Sequence, residues 1–314
     1  MKVCYFIQTH KNPAQIYRLV RTIKTSSPDA QILIGHDFTS SHLDITPLQG
    51  LGDVHLLKSK SPSLRGDFSL LQPYLNAVDW LFENESDFDW LIYLSGQDYP
   101  TKAPAEIEHF LAQTDYNGFI RYWDIFSKES PWGKGRAWKR YYCQYYRLPD
   151  SIRELLRAVY EIVKFSKLQK LIPIQFFLTY GSLVGFPAKS IPFNENFICY
   201  GGYQWHTLSK RCVAYLKGFI EARPDLVRYY KKTVVSDESF VQTILVNSQK
   251  FKLCNDPKRY FDTHEQPGGH ARILTLKDYS ILTNEDFHFA RKFESEVDSQ
   301  ILDAIDAKIL GTTQ

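Results

Sequence analysis

Cysteines are few in this chain, and long apolar runs are missing. Its 314 residues include five cysteines, at positions 4, 143, 199, 212 and 254, and no two of them form a CxxC pair. This pattern argues against a zinc knuckle and a disulfide scaffold, so we expect free or buried thiols in a reducing compartment. No stretch of about 18 apolar residues occurs that could cross a membrane. The N-terminal run MKVCYFIQTHKNP also lacks the apolar region of a signal peptide, which predicts a cytoplasmic protein.

Several familiar nucleotide-binding and catalytic motifs are absent as well. The sequence has neither a P-loop of the Walker A type nor a GxGxxG run after a strand, which argues against a P-loop NTPase and a dinucleotide oxidoreductase. It also has no HExxH motif, no EF-hand loop and no GxSxG nucleophile elbow. Candidate functional residues must therefore be sought where the predicted fold brings polar side chains together.

Neither sign of charge dominates, since Lys+Arg is 38 and Asp+Glu is 35, for a formal net charge of +3. The average hides a basic segment, because residues 121–170 hold 12 Lys/Arg against 5 Asp/Glu, a local balance of +7. The same segment is dense in Trp and Tyr, side chains that suit sugar faces and interfaces. We interpret residues 121–190 as an aromatic and basic insertion.

Short apolar runs alternate with helical patterns in the first half of the chain. Apolar runs at 3–7, 32–34 and 90–94 predict buried strands. Asn12 followed by Pro13 predicts a capped helix start, and helical spacing continues at 70–82 and 104–111. This order predicts an α/β fold with a mainly parallel sheet. Later helices are expected at 151–172, 209–222, 236–247 and 298–309.

Polar residues follow the predicted strands at the sheet edge where parallel sheets bind ligands. They are His10, His36, Asp37 and Asp98. The one Asp-x-Asp tripeptide, at 87–89, precedes its strand, so we interpret it as a solvated turn at the opposite edge. A lone aspartate makes a weak divalent-cation site, so cationic side chains are expected to stabilise any diphosphate bound here.

These strand ends and several later segments together resemble glycosyltransferase family 14. That family holds the core-2/I-branching β-1,6-N-acetylglucosaminyltransferases, the peptide O-xylosyltransferases and plant relatives. The matching segments, in chain order, are IQTHK at 7–11, IGHD at 34–37, RGDFS at 65–69, LSGQDYPT at 94–101, GGYQW at 201–205, DESF at 237–240, HAR at 270–272 and FARKF at 289–293. The segment at 65–69 lacks the tryptophan of the family pattern, and residues 121–190 match poorly.

The resemblance implies one GT-A-like catalytic domain over residues 1–314, with a mainly parallel sheet flanked by helices. It implies inversion at the anomeric carbon and no metal cofactor. Glu238 would be the general base, and Arg272 and Lys292 would hold the UDP leaving group. The other implied site residues are His10, His36, Asp37 and Asp98 on the donor side, with Gly202, Trp205 and Asp237 on the acceptor side.

Each of these residues also has a structural interpretation. Glu238 could serve only as an acid at a helix start, where the dipole favours it. Arg272 and Lys292 could be surface cations, and Trp205 a core residue. The two histidines could lie in the core or in loops, and Asp98 could be a turn residue.

Three other functions fit parts of the pattern. A glycoside hydrolase needs two facing carboxylates, and on a helix the neighbours Asp237 and Glu238 would point about 100° apart, so only one could face a site. A non-catalytic carbohydrate-binding protein would explain the aromatics but not the cations. Nucleic-acid binding lacks a recognisable motif, so no nucleic-acid partner is expected.

The expected partners are therefore a UDP-sugar, carrying GlcNAc or xylose, and a glycan or lipid-linked acceptor. The amphipathic pattern at 151–172 is flanked by basic residues, and it fits either a helix packed on the sheet or a peripheral contact of residues 121–172 with an anionic membrane.

Overall fold

The computed structural model describes residues 1–59, 62–165, 174–263 and 271–311. The strands are β1 Val3–Thr9, β2 Gln31–His36, β3 Val54–Lys58, β4 Trp90–Ser95, β5 Asp98–Pro100, β6 Gly118–Phe119, β7 Tyr122–Asp124, β8 Cys143–Arg147, β9 Gln175–Phe177, β10 Leu183–Pro187, β11 Tyr200–Gly202, β12 Thr207–Ser209, β13 Leu253–Cys254, β14 Arg259–Tyr260 and β15 Phe289–Arg291. The α-helices are α1 Pro13–Ser26, α2 Gln72–Glu83, α3 Pro104–Gln113, α4 Gly133–Tyr141, α5 Arg153–Phe165, α6 Lys210–Ala222, α7 Pro224–Tyr230, α8 Phe240–Ser248, α9 Tyr279–Asn284 and α10 Gln300–Leu310.

A seven-stranded sheet forms the centre of the molecule, in the order β13-β6-β12-β4-β1-β2-β3. Strand β12 runs antiparallel to both of its neighbours, and the remaining pairs are parallel. In the central register Cys4 lies opposite Gln31 and Val3 opposite Trp90. The predicted α/β class with a mainly parallel sheet is therefore confirmed.

Helices cover both faces of this sheet because side chains along each strand alternate between the faces. In β1, Phe6 belongs to the core shared with α2, α6 and α8, whereas Tyr5 and Ile7 belong to the core shared with α1, α3 and α10. The predicted cap of α1 is present, with the Asn12 side chain accepting a hydrogen bond from the Gln15 amide at 3.2 Å.

The aromatic and basic segment contributes to two parts of the fold. Ile125 and Tyr141 join the large core, whereas Cys143, Tyr145 and Leu183 form a small core of their own. Strands β8, β10 and β9 make a separate three-stranded antiparallel sheet over it. The domain bounds 1–314 and the insertion bounds 121–190 stay predictions.

Two predicted helices differ from the structure. The helix expected at 236–247 is broken at Ser239, whose φ of −145° is not helical, so a 3-10 turn Ser236–Glu238 precedes α8. The helix expected at 151–172 is α5, preceded by a 3-10 turn at Asp150–Ile152, and residues 166–172 of that prediction lie outside the described residues. Among the described residues, no helix combines the length and the apolar character needed to span a bilayer.

Candidate active site

A cleft of about 890 Å³ opens at the carboxyl ends of β1, β2 and β4. Residues that directly follow these strands line it, including His10, Lys11, Asp37 and Gln97. This is the edge at which parallel sheets bind ligands, because the loops there are free of the sheet's hydrogen bonding. The exposed Asp87 and Asp89 lie on the turn before β4, at the other end of that strand, as predicted.

Glu238 lines the cleft and is held by an arginine from the basic segment. Arg140 Nη1 of α4 donates a hydrogen bond to Glu238 Oε2 at 3.0 Å. Burial raises the pKa of Glu238, and the nearby charge of Arg140 opposes that rise. The result is a carboxylate that is more basic than an exposed one and is fixed in orientation by a charged hydrogen bond.

Hydrogen bonds to the backbone of Val235 position the turn that carries Glu238. Val235 adopts a left-handed conformation with φ 61°, which is strained for a β-branched residue. The Tyr141 hydroxyl donates to the Val235 carbonyl oxygen at 2.9 Å, and the Val235 amide donates to the carbonyl oxygen of Gly66 at 2.9 Å. The segment that contains Tyr141 thus holds the start of the turn that carries Glu238.

Asp237 also lines the cleft, so the prediction that only one of the two neighbouring acids could face a site is wrong. Both acids lie in the 3-10 turn, which ends at Ser239. Asp237 Oδ1 is buried and has no hydrogen-bond partner among the described residues. Burial and the neighbouring charge of Glu238 raise the pKa of Asp237 to about 7.

Three cations lie at or just beyond the ends of β1 and β15. Lys11 Nζ lies 2.6 Å from Glu294 Oε1, and Arg291 Nε donates to Asp98 Oδ1 at 2.9 Å. Lys292 lines the cleft, has no salt bridge within residues 1–59, 62–165, 174–263 and 271–311, and has its pKa lowered by burial. Together these groups form a positive end of the cleft.

Asp98 is fully buried and does not line the cleft, contrary to the expected donor contact. Its carboxylate accepts hydrogen bonds from Arg259 Nη1 at 2.7 Å, from Arg291 Nε, and from the amide and hydroxyl of Ser95. Asp98 therefore positions Arg291, and its partners leave it no oxygen aimed at a ligand.

The two histidines behave differently. His10 lines the cleft, and partial desolvation of the ring there, together with the charges of Lys11 and Lys292, lowers its pKa, which favours a neutral ring. His36 is buried outside the cleft lining, with Nδ1 at 2.8 Å from the Thr9 hydroxyl and Nε2 at 2.9 Å from the Ser41 carbonyl oxygen. Both ring nitrogens of His36 are thus used within the fold.

Asp37 lines the cleft next to His10. Although burial alone would raise it, the pKa of Asp37 is lowered by hydrogen bonds from the Thr39 hydroxyl, the Ser63 amide and the Thr39 amide. Asp37 therefore stays ionised and ties the loop after β2 to residue 63.

Gly202 and Trp205 both line the cleft, and both also serve the fold. A Cβ at Gly202 would lie 1.9 Å from the carbonyl oxygen of Arg121, so the pairing of β11 with β7 excludes a side chain there. The Trp205 ring is 8% exposed and carries the Arg291 guanidinium 4.5 Å from its centroid. Trp205 is therefore a core residue that also forms part of the cleft wall.

Arg272 does not line the cleft, although its neighbour Ala271 does. Its guanidinium donates to Asp262 Oδ2 at 2.6 Å and to Asp278 Oδ2 at 2.9 Å, and these hydrogen bonds raise its pKa. In this arrangement Arg272 is a salt-bridge residue. The matching His270 lies outside the described residues.

Arg65, Arg136 and Arg140 also line the cleft. Arg65 begins the family-like segment at 65–69, which assigned it no role, and no sequence motif pointed to Arg136 or Arg140. For those two arginines the only signal was the basic balance of residues 121–170, which could not say which cations face the site. Among the described residues, no group of three or more His, Cys, Asp or Glu side chains could hold a metal ion.

Comparisons with known proteins find relatives that are named as sugar-transferring enzymes. The beta-glucuronosyltransferase GlcAT14A of Arabidopsis thaliana is 25% identical over 265 residues, which cover 82% of this chain and 51% of that protein. Xylosyltransferase 2 of Homo sapiens is 22% identical over 332 residues, which cover 99% of this chain and 34% of that protein. The chain thus spans about half the length of the glucuronosyltransferase and about a third of the length of the xylosyltransferase.

The solved structures that resemble the chain are more distant. An active-site mutant of LgtC has a TM-score of 0.36 at 9% identity, covering 100% of this chain and 84% of that one. TarS 1-349 of S. aureus in complex with UDP has a TM-score of 0.29 at 11% identity, covering 38% and 35%. A family model described as Core-2/I-Branching enzyme matches residues 3–289, nearly the whole chain. The chain therefore belongs to the Core-2/I-branching enzyme family, the family that its sequence motifs predict.

Proposed function

We propose that the chain is an inverting, metal-independent glycosyltransferase that moves a sugar from a UDP-sugar to a hydroxyl group of a glycan or lipid-linked acceptor. The observation that carries the proposal is one cleft in which the oriented carboxylate of Glu238 shares its walls with Lys11, Arg291 and Lys292. A base and a cluster of cations are the two groups that transfer from a nucleoside diphosphate requires.

In the proposed step Glu238 accepts the proton of the acceptor hydroxyl. The hydroxyl oxygen then forms a bond to the anomeric carbon as the bond from that carbon to the diphosphate oxygen breaks. Attack from the side opposite the leaving group inverts the anomeric centre. The electron pair of the broken bond stays on UDP, and the proton stays on Glu238 until solvent removes it.

The cations at the strand ends stabilise the charge that develops on UDP. Lys292 has the strongest support because it is half-buried in the cleft without a salt bridge among the described residues. The Arg291 guanidinium is held in position by its hydrogen bond to Asp98 and by its contact with the Trp205 ring. Arg272 can take the diphosphate role that the family implies only if it leaves Asp262 and Asp278.

The donor sugar is proposed as GlcNAc or xylose from the sequence, and the names of the relatives add glucuronate to the panel to be tested. His10 and Asp37 line the end of the cleft where the base and ribose of UDP would lie. On the acceptor side, the proposed site residues are Gly202, Trp205 and Asp237.

The test is release of UDP from UDP-GlcNAc, UDP-xylose and UDP-glucuronate, with and without a glycan acceptor mixture. Replacing Glu238 by Gln should lower acceptor-dependent release at least about 100-fold, because it removes the base but keeps the shape. Glu221→Gln, on the exposed surface of α6, is the matched control and should leave the rate unchanged. Saccharide binding with no UDP release from any donor would favour the alternative, a non-catalytic carbohydrate-binding protein.

A peripheral membrane contact through α5 is a further part of the proposal. Leu155, Val159 and Ile162 are 64%, 37% and 66% exposed, whereas the packed interpretation expected the apolar stripe to be buried. Leu156 alone among the described apolar residues of its stripe is buried. Basic residues in the sequence flank this face, which suits an anionic bilayer that would carry a lipid-linked acceptor.

A further inference from the structure

Two arginines on one face of helix α4 line the cleft. Arg136 and Arg140 are four residues apart, so their side chains lie one above the other, about 6 Å apart along the helix axis. Both line the cleft. Arg140 is buried and bound to Glu238, whereas Arg136 is exposed to the cleft.

The two arginines differ in how their charge is balanced. Arg140 is paired with Glu238 and stacks 4.5 Å from the centroid of the Trp132 ring. Arg136 makes no salt bridge and no hydrogen bond with any residue of the described ranges. A cation that lines a cleft without a carboxylate partner attracts an anionic ligand.

This positive charge is separate from the charge that the donor needs. Of the cations that would hold a diphosphate, Lys11 follows β1, Arg291 is the last residue of β15 and Lys292 comes directly after it. Arg136 instead comes from the helix beyond Glu238. If the reacting hydroxyl sits at Glu238, an acceptor that continues along α4 reaches Arg136 after about one helical turn, a span that one sugar ring fills.

Aromatic side chains stand beside the same path. Trp132, Phe177 and Tyr180 all line the cleft and all come from the segment that matches the family least. Arg65 lies with its guanidinium 5.5 Å from the centroid of the Tyr180 ring, which adds a second cation to this wall. Aromatic faces with polar edges suit sugar rings, and the guanidinium fork suits carboxylate and phosphate groups.

We propose that the acceptor is an anionic saccharide whose carboxylate or phosphate group binds Arg136, one helical turn from the hydroxyl that Glu238 deprotonates. The inference rests on the proposed function for the position of that hydroxyl. It adds the chemical class of the acceptor and the residue that selects it.

The test compares the binding of matched saccharides, followed by tryptophan fluorescence because Trp132 lies in the site. The probes are methyl β-glucuronide, methyl β-glucoside 6-phosphate and neutral methyl β-glucoside. The wild-type protein should bind at least one anionic probe about tenfold or more tightly than the neutral one. The anionic probe with the larger increase in affinity over the neutral one shows whether the site prefers a carboxylate or a phosphate.

The variants are Arg136→Gln, Arg136→Lys and the control Lys134→Gln, which is exposed on the same helix but does not line the cleft. Arg136→Gln should reduce the anionic preference to about twofold or less, Arg136→Lys should retain part of it, and Lys134→Gln should leave it intact. Equal binding of the three probes by the wild-type protein, or an unchanged preference in Arg136→Gln, would overturn the inference.

Binding and turnover separate the two proposals. An anionic preference that depends on Arg136 but comes with no UDP release supports this site and removes the transferase. UDP release with a preference for neutral acceptors supports the transferase and removes this site. Tighter binding of an aspartate-rich peptide than of either anionic sugar also overturns the inference.

Discussion

Asp237 and Glu238 are adjacent acids in one cleft wall, and each affects the ionisation of the other. Burial raises the pKa of both, and the charge of Glu238 raises that of Asp237 further, to about 7. Arg140 stabilises the ionised form of Glu238. The pair therefore gains its first negative charge at Glu238, the residue that we propose as the base.

Asp237→Asn should stabilise the protein in a pH-dependent way. The pKa of Asp237 is higher in the folded chain than in an unfolded one, so folding favours the protonated form and the wild-type protein loses stability as pH rises toward 7. The variant should gain on the order of 2 kcal/mol over wild type at pH 8 and much less at pH 5. Urea unfolding at both pH values measures the difference.

The matched control for this measurement is Asp225→Asn. A hydrogen bond from Arg223 lowers the pKa of Asp225 to about 2, the opposite direction, so this variant should gain nothing at pH 8. Equal stabilisation of Asp237→Asn at pH 5 and pH 8 would mean that its carboxyl has an ordinary pKa in the folded protein.

Lys292 and Arg272 can be separated by their effects on UDP. Lys292→Gln should weaken UDP binding about tenfold, because a half-buried cation in the cleft is lost. Arg272→Gln should weaken it less and instead lower the unfolding free energy, because Asp262 and Asp278 lose their partner. Calorimetric titration with UDP and urea unfolding give the two readouts. A tenfold loss of UDP affinity in both variants would show that Arg272 moves to the diphosphate.

At the scale of elements, α5 leaves several of its apolar side chains exposed. Its exposed residues Leu155, Val159 and Ile162 are spaced three and four apart, which puts them on one face. Leu156, at the edge of the same stripe, is buried. An exposed apolar stripe of this kind marks an interaction surface.

The membrane proposal predicts that the protein sediments with liposomes containing anionic lipid at low salt. Replacing Leu155 and Ile162 by Ser should reduce the bound fraction several-fold, because the apolar contact is lost. Replacing the exposed Val297, on the segment before α10, by Ser is the control and should leave it unchanged. Failure of the wild-type protein to sediment with these liposomes would reject the contact.

Local signals predicted the elements better than the site. Asn12 and Pro13 predicted the start of α1 because capping depends on neighbouring residues alone. The break at Ser239 was not predicted; there the Ser239 hydroxyl donates to the carbonyl oxygen of Tyr200, 39 residues away in the sequence, a partner that local patterns do not reveal. Likewise, family motifs pointed to Glu238 and Lys292 in the cleft, but they offered no reason to expect Arg140, which reaches Glu238 from 98 residues away. Long-range partners also explain why Asp98 and Arg272 are salt-bridge residues here.

At the scale of the whole molecule, the net charge of +3 averages over unlike regions. Residues 121–170 carry a balance of +7, which leaves −4 for the remainder. The structure places part of that basic segment on one wall of the cleft and the strand-end cations at another. A near-neutral total is thus compatible with a site built to bind two anionic substrates.

The proposal that protein cations take the place of a metal predicts that chelation has little effect on turnover. Dialysis against EDTA should leave the rate of UDP release within about twofold, and added Mg²⁺ or Mn²⁺ should not raise it more than that, because Lys292 and Arg291 supply the charge that a divalent ion would. The comparison is made on the same protein sample before and after dialysis. A loss of activity that Mn²⁺ restores would contradict the proposal.

The five cysteines are all free, and four of them are buried in different parts of the fold. Burial raises the pKa of each, to about 11 for Cys143 and about 12 for Cys199, so few thiolates form at neutral pH. An alkylating reagent can therefore reach Cys4 in the central sheet, or Cys143 under the small one, only when that region opens. The order in which these thiols are alkylated reports which part of the molecule unfolds first, with no label having to be introduced.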